Sequence, residues 1–193
     1  MAASPKWRQH VESSAAVATV AMQLWMKPDV PGLGWDTSPH GTTLTGYMDP
    51  YNTWADMTHL LPTEHWPANQ SNTPHSVGYF CGPMKTDTAW GPWTDHTYAI
   101  KQQAVAKADA LTWINKSLAF LWPTAMEHGM QSFYETLADP QDRDGADRFE
   151  AQFWRANVDP SELYILSPPT AVRHRIAAND TGFSNLYAAG GSL

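Results

Sequence analysis

The clearest hydrophobic pattern in the chain has the period of an α-helix. Four aliphatic residues recur at intervals of three, four and three positions, which places them on one side of a helix. They are Leu111, Ile114, Leu118 and Leu121. Thr94 or Asp95 can cap the beginning of this helix, and Pro123 ends it because proline cannot continue the hydrogen-bond ladder. The pattern therefore predicts a long helix over roughly Asp95–Leu121.

Shorter elements are predicted on both sides of this helix. Ser4 followed by Pro5 indicates the beginning of a short helix that ends near Ser13. Runs of β-branched and aromatic residues between turn residues predict strands in both halves of the chain. These runs cover residues 16–26, 42–48, 75–82, 161–167, 171–178 and 185–190. Residues 49–61 favour one or two turns of helix, and residues 124–139 favour a second helix.

The order of these elements predicts an α+β fold. Strands come from both ends of the chain, so we expect a mixed, largely antiparallel sheet with helices on one face. A length of 193 residues is enough to bury a hydrophobic core. No repeat, low-complexity tract or change of composition marks a linker, so residues 1–193 are predicted to form a single domain.

Composition and charge narrow the classes of function. The net charge of −7 argues against nucleic acid as a partner, because binding phosphates along a strand needs a basic surface. The lone Cys81 excludes an internal disulfide and fits a reducing compartment, so a cytoplasmic location is expected. The N-terminus lacks the apolar region of a signal peptide, and residues 15–26, the longest apolar stretch, are too few to span a bilayer. Membrane contact is therefore expected to be peripheral at most.

Tryptophan is abundant in this chain. Ten Trp residues among 193 are well above ordinary usage. Most of them are expected to pack in the core, because large rings bury much apolar area. The alternative is that some rings line a pocket or a contact surface, as aromatic residues often do.

No motif in the chain completes a metal site or a catalytic constellation. Residues 139–150 are acidic, but a calcium loop would need oxygen ligands where Pro140 and Ala151 stand. Pro62 interrupts residues 59–65, so their two histidines cannot take the helical geometry of a zinc site. The single thiol lies on an apolar predicted strand and is interpreted as buried and inert.

The C-terminal segment carries a longer pattern. A Pro-Ser-Glu-x-Tyr-x-Leu-Ser run is followed by a Thr-Gly-Phe-x-Asn-Leu-Tyr run that continues into Ala-Ala-Gly-Gly. The matching residues are Pro160, Ser161, Glu162, Tyr164, Leu166, Ser167, Thr181, Gly182, Phe183, Asn185, Leu186 and Tyr187. This segment resembles the C-terminal stretch of FAD-dependent oxidoreductases of the flavin-containing amine oxidase and phytoene desaturase type. Upstream segments such as NTWADMTHLL and GYFCG are similar to the substrate-side domain of that family, so the resemblance covers nearly the whole chain.

The resemblance implies which residues approach a cofactor. Ala189 and Gly190 match the Ala-Gly-Asp-Trp motif of the family and are the expected cofactor-binding residues. Gly191 replaces the Asp that the family uses near the flavin, and Ser192 replaces the Trp. The N-terminal dinucleotide-binding domain of the family, with its glycine loop, is not among these 193 residues. FAD is therefore expected only together with a partner chain, and the isolated chain is expected to bind none tightly.

Two functions are compatible with this resemblance. In the first, the chain is part of a truncated or split flavin oxidoreductase and supplies the substrate-side domain, with walls from residues 75–82 and from Trp and Tyr rings. A flavin would carry the redox chemistry, so catalytic residues of this chain stay unassigned. In the alternative, the chain is a non-catalytic relic of the family that serves as a structural or interaction subunit of a larger protein complex. Both functions imply another protein chain as partner, and both leave the substrate open.

Overall fold

The computed structural model describes residues 4–35, 42–66, 72–85 and 94–189. The chain divides into two compact units, which we call the terminal unit and the central unit. The terminal unit combines Met1–Ala18 with Asp159–Leu193, and the central unit spans Thr19–Val158. That residues 1–193 form a single domain stays a prediction.

The described residues form α-helices, short 3-10 helices and strands. The α-helices are α1 (Pro5–Ser13), α2 (Tyr98–Leu121) and α3 (Met130–Thr136), and 3-10 helices cover Thr58–Thr63, Gly145–Ala151 and Ala171–His174. The strands are β1 (Ala15–Val17), β2 (Thr19–Met26), β3 (Thr43–Leu44), β4 (Thr53–Asp56), β5 (Ser76–Pro83), β6 (Phe153–Asn157) and β7 (Tyr164–Leu166). No helix in the described ranges is long and apolar enough to cross a membrane. The fold is α+β, as the sequence predicts.

The central unit is built on a five-stranded antiparallel sheet with the strand order β3-β4-β5-β2-β6. β2 pairs with β5 on one side and with β6 on the other. Alternate residues of β2 are fully buried, because successive side chains of a strand point to opposite faces of the sheet and these four point toward the core. These residues are Val20, Met22, Leu24 and Met26. The largely antiparallel arrangement predicted from the sequence is confirmed.

Helix α2 covers the face of the sheet that carries these buried residues. Trp113 of α2 contacts Phe80 of β5, with ring centroids 5.2 Å apart, and Trp122 contacts the same ring at 5.3 Å. Trp54 of β4 lies 6.1 Å from Trp122 and completes an aromatic cluster of these four residues. Three of the four residues in the predicted stripe of α2 are fully buried, and only Leu111 is partly exposed. The apolar stripe is therefore the surface through which α2 packs on the sheet.

Residues 49–61, predicted to hold one or two turns of helix, are helical only from Thr58 onward. Thr53–Asp56 forms strand β4, and a 3-10 helix follows over Thr58–Thr63. Pro50 and Pro62 are incompatible with the interior of a longer helix. Because β4 is stabilised by pairing with β5, a strand far along the chain, its conformation cannot be inferred from a local pattern.

Three predicted strands are shorter than expected or have another conformation. Of residues 42–48 only Thr43–Leu44 forms a strand, β3, and of residues 161–167 only β7 does. The strand predicted over residues 171–178 is wrong, because its first half is the 3-10 helix Ala171–His174. The chain turns just before this helix at Thr170, whose φ of 77° is incompatible with an extended strand.

The strand predicted over residues 185–190 is not formed in its described residues. Isolated hydrogen bonds hold this segment instead of strand pairing, among them one from the Ala188 backbone N–H to the Ala178 carbonyl at 3.1 Å. The buried Thr181 Oγ1 donates to the Leu186 carbonyl at 2.6 Å, and Trp7 Nε1 donates to the Thr181 carbonyl at 3.0 Å. Leu186 and Tyr187 are 44% and 74% exposed, so the segment lacks the buried apolar face that stabilises a strand in a sheet.

Asp139 is a buried carboxylate that fixes the loop after α3. It accepts hydrogen bonds from the Arg143 guanidinium at 2.7 and 3.0 Å and from the backbone N–H of Gln141 at 2.9 Å. Its side chain is fully buried, and that of Arg143 is 28% exposed. These bonds, above all those from Arg143, hold the pKa of Asp139 below its ordinary value.

We expect Asp139→Asn to lower the free energy of unfolding at neutral pH by about 1–3 kcal/mol, because the amide cannot accept the paired bonds of the guanidinium. A depressed pKa in the folded state stabilises the fold above the ordinary pKa of Asp, and this contribution is lost as the pH falls through the depressed value. Urea denaturation measures the free energy of unfolding of the wild type and of Asp139→Asn from neutral to acidic pH. The difference between the two free energies should shrink as the pH falls. A difference that is independent of pH would contradict this account.

Candidate functional site

The face of the central sheet opposite α2 is the candidate functional site. The register between strands places residues of β4, β5, β2 and β6 side by side in rows across this face. One row is Ala55, Tyr79, Gln23 and Phe153, and the next is Thr53, Cys81, Ala21 and Arg155. Neighbouring strands are ~4.8 Å apart, so each row is roughly 14 Å wide. We call these eight residues the open face.

The open face combines apolar area with a few polar groups. Phe153 is 44% exposed, whereas Gln23, Tyr79 and Cys81 are half-buried. Ala21 is only 5% exposed and has a short side chain, so it forms the floor on which the larger side chains stand. A broad surface with aromatic rings and a single charge suits a flat, mostly apolar ligand.

Trp25 extends the same side of β2 beyond Gln23, because residues two apart on a strand share a face. Its indole Nε1 donates to Glu64 Oε2 at 2.7 Å, and Trp66 Nε1 donates to the same oxygen at 2.8 Å. The two rings lie 6.0 Å apart at an interplanar angle of 54°. One carboxylate thus orients both indoles, and an aromatic wall stands at this end of the open face.

Tyr79 and Cys81 form the polar centre of the open face. Their side chains are neighbours on one face of β5, and burial raises the pKa of both the phenol and the thiol. Both groups are therefore neutral near pH 7. The pair can donate or accept a hydrogen bond to a ligand, but it does not supply a thiolate nucleophile.

Cys81 is the only cysteine of the chain, so a thiol reagent reports on the open face alone. Because burial raises its pKa, we expect Cys81 to react with an aromatic disulfide reagent more slowly than free cysteine at neutral pH. The rate should rise with pH as the thiolate forms. Tyr79→Phe removes the hydroxyl that lowers the pKa of the Cys81 thiol and is expected to slow the reaction several-fold further.

The absorbance of the released thiol measures this rate, and Tyr164→Phe in the terminal unit serves as the matched control. Tyr164 is 58% exposed and is expected to leave the rate at Cys81 unchanged. If Tyr79→Phe and Tyr164→Phe react at the same rate, the Tyr79 hydroxyl does not control the reactivity of the Cys81 thiol.

The two sequence-predicted cofactor residues lie in the terminal unit. Ala189 is exposed and belongs to no helix or strand, and Gly190 lies outside the described residues. Residues 182–187 are all exposed, so the described part of this segment provides no walled cradle for a dinucleotide. That Ala189 and Gly190 bind a cofactor stays a prediction. By contrast, the predicted wall strand over residues 75–82 is β5, which supplies Tyr79 and Cys81.

Three other residues of the open face were missed from the sequence: Gln23, Phe153 and Arg155. A weak signal for Gln23 is present, because this polar residue stands between two apolar residues of β2. Phe153 and Arg155 carry no such signal, since only the pairing of β6 with β2 places them on this face.

No protein-family model, curated protein or solved structure matches the chain. Among the described residues, no group of three or more His, Cys, Asp or Glu side chains could hold a metal ion. The open face and the exposed apolar side chains of the terminal unit are therefore the features on which a function can be based.

Proposed function

We propose that the chain supplies the substrate-side wall of a FAD-dependent oxidoreductase of the flavin-containing amine oxidase and phytoene desaturase type. The flavin-binding unit then belongs to polypeptide outside these 193 residues. The observation that supports this proposal is the open face. On it, β5, which resembles the family, presents Tyr79 and Cys81 beside Gln23 and Phe153.

The role of the open face in this proposal is to bind the substrate and exclude water. The rings of Tyr79, Trp25 and Phe153 offer apolar contact area, and the Gln23 amide and Tyr79 hydroxyl can orient one polar group of the substrate. The flavin, when bound, accepts the electrons that the substrate loses. A molecule with an extended apolar body, such as a hydrophobic amine or a polyene, matches this surface.

Oxidative footprinting read by mass spectrometry tests the proposal. The isolated chain is compared with the chain isolated together with a flavin-bearing partner. Tyr79 and Phe153 are expected to lose most of their reactivity in the assembly, because a flavin-binding unit would cover the open face. Phe120, which is 69% exposed on α2, is the matched aromatic control. Equal reactivity of Tyr79 and Phe153 in both samples would contradict the proposal.

The terminal unit favours a second candidate function, that of a non-catalytic interaction subunit. Its two-stranded sheet is small, and all three residues of β7 are exposed: Tyr164 by 58%, Ile165 by 41% and Leu166 by 42%. Val172 and Tyr187 of the same unit are 62% and 74% exposed. Apolar side chains exposed together in this way are typical of a contact with another protein.

The same footprinting experiment separates the two functions. A structural subunit is expected to show protection of Tyr164 and Tyr187 in its complex, while Tyr79 stays reactive. Its complex would also carry no flavin. Protection of Tyr79 without protection of Tyr164 and Tyr187 would exclude this second function.

A further inference from the structure

A cleft of about 480 Å³ lies in the central unit and shares no residue with the open face. β2 leads into it at Lys27, α3 contributes Tyr134 and Glu135, and the 3-10 helix Gly145–Ala151 contributes Arg148. The cleft therefore brings two cationic side chains together from distant parts of the sequence.

Arg148 is held rigidly in the wall of this cleft. Its Nη1 donates to Asn72 Oδ1 at 2.9 Å and to the Leu137 carbonyl at 3.3 Å, and its Nη2 donates to Asp142 Oδ1 at 3.1 Å. Its side chain is only 12% exposed. A guanidinium has five N–H donors, so Nε–H and one Nη2 hydrogen stay without a partner among the described residues.

The backbone of Lys27 is fixed, whereas its ammonium is not engaged. Its backbone N–H donates to the Thr136 carbonyl at 2.8 Å, and its own carbonyl is 2.6 Å from His75 Nδ1. Among the described residues, none forms a hydrogen bond or an ion pair with Lys27 Nζ. The three donors of this ammonium are therefore available to a ligand.

Lys27 lies among charges of both signs, and the cations are more buried than the carboxylates. Burial lowers the pKa of Lys27 most, and the positive charge of Arg148 lowers it more than Asp142 or Glu135 raises it. Glu135 and Asp144, the carboxylates that line the cleft, are exposed, while Lys27 and Arg148 are half-buried. An anion between the two cations would relieve their repulsion and replace the water that burial removes.

We propose that this cleft binds a phosphate group between Lys27 and Arg148. A phosphate offers at least three acceptor oxygens, which matches the available donors of one ammonium and one guanidinium. A carboxylate offers only two oxygens and is expected to bind more weakly. The Tyr134 hydroxyl, which also lines the cleft, is a further donor to the same group.

Nuclear magnetic resonance titration of the full chain with inorganic phosphate tests this proposal. At constant ionic strength, with chloride as the reference anion, we expect saturable shifts of the backbone amides near Lys27 and Arg148. Lys27→Gln is expected to weaken binding about tenfold or more, because a charge-assisted hydrogen bond is lost. Lys116→Gln, at an exposed position of α2, is the matched control and should leave binding unchanged.

Lys27→Arg keeps the positive charge and is expected to restore most of the affinity, which separates loss of charge from loss of folding. Acetate in place of phosphate should bind more weakly. Shifts that do not saturate, equal weakening by Lys27→Gln and Lys116→Gln, or equal affinity for acetate and phosphate would each overturn the proposal. None of these outcomes bears on the open face, so this test is independent of the proposed function.

Discussion

Replacing Trp122 with alanine is expected to lower the free energy of unfolding by about 3–5 kcal/mol. Trp122 is only 1% exposed and contacts both Trp54 and Phe80 in the aromatic cluster. Its removal would leave a large cavity between the sheet and the end of α2, which the rigid strands cannot fill. Urea denaturation followed by circular dichroism measures the loss.

Two control variants show whether this loss comes from burial. Phe120→Ala removes a ring that is 69% exposed two residues away, and we expect it to cost less than about 1 kcal/mol. Trp122→Phe should cost less than Trp122→Ala, because it keeps most of the ring volume and the buried Trp122 Nε1 has no hydrogen-bond partner among the described residues to lose. Equal losses for Trp122→Ala and Phe120→Ala would show that Trp122 is not part of a packed core.

The substitution Gly82→Ala is expected to have the second large effect, a loss of about 3 kcal/mol or more. A Cβ atom at Gly82 would lie 2.0 Å from the Pro50 carbonyl oxygen and 3.1 Å from Asn52 Oδ1. The first contact is with backbone, so relief requires β5 or the chain before β4 to move. Cys81→Ala on the same strand is the control, because its half-buried side chain only becomes smaller.

Urea denaturation also measures the stability of Gly82→Ala and of Cys81→Ala. Gly82→Ala should also change the amide spectrum around Pro50, since the backbone must shift there, whereas Cys81→Ala should not. A Gly82→Ala protein with wild-type stability would mean that the chain around Pro50 does not pack against β5.

Elements with a strong local period could be predicted from the sequence. The four-residue stripe of α2 and the β-branched, apolar run of β2 are local signals, so their own residues are sufficient evidence for them. Pro5 and Pro123 also mark positions near helix ends correctly, because proline excludes most alternatives. These elements fix the class of the fold and the covered face of the sheet.

Elements that depend on distant partners could not be predicted in this way. β4 is a strand because it pairs with β5, and residues 185–189 are not a strand because side chains such as Thr181 hold them. Local preference predicts helix over residues 49–61 and strand over residues 185–190, and the structure has β4 in the first segment and no strand in the described part of the second. Long-range pairing, not local preference, decides between them.

The candidate site also depends on pairing between segments that are distant in the sequence. The wall strand β5 was predicted, and its Tyr79 and Cys81 lie on the open face. Phe153, however, reaches the same row only through the register of β6 with β2. The cleft between Lys27 and Arg148 likewise joins segments that no single motif connects. A site whose residues come from several strands can be identified only when the register between those strands is known.

If the open face lies against a flavin held by another polypeptide, the chain should be recovered together with both. The chain is isolated under mild conditions from its native cells, and the sample is examined by visible absorption and by mass spectrometry of every polypeptide present. We predict the absorption bands of oxidised flavin in the assembly, a flavin-binding polypeptide beside this chain, and a colourless preparation of the 193-residue chain alone. A yellow preparation of this chain alone, or an assembly without flavin, would contradict the claim.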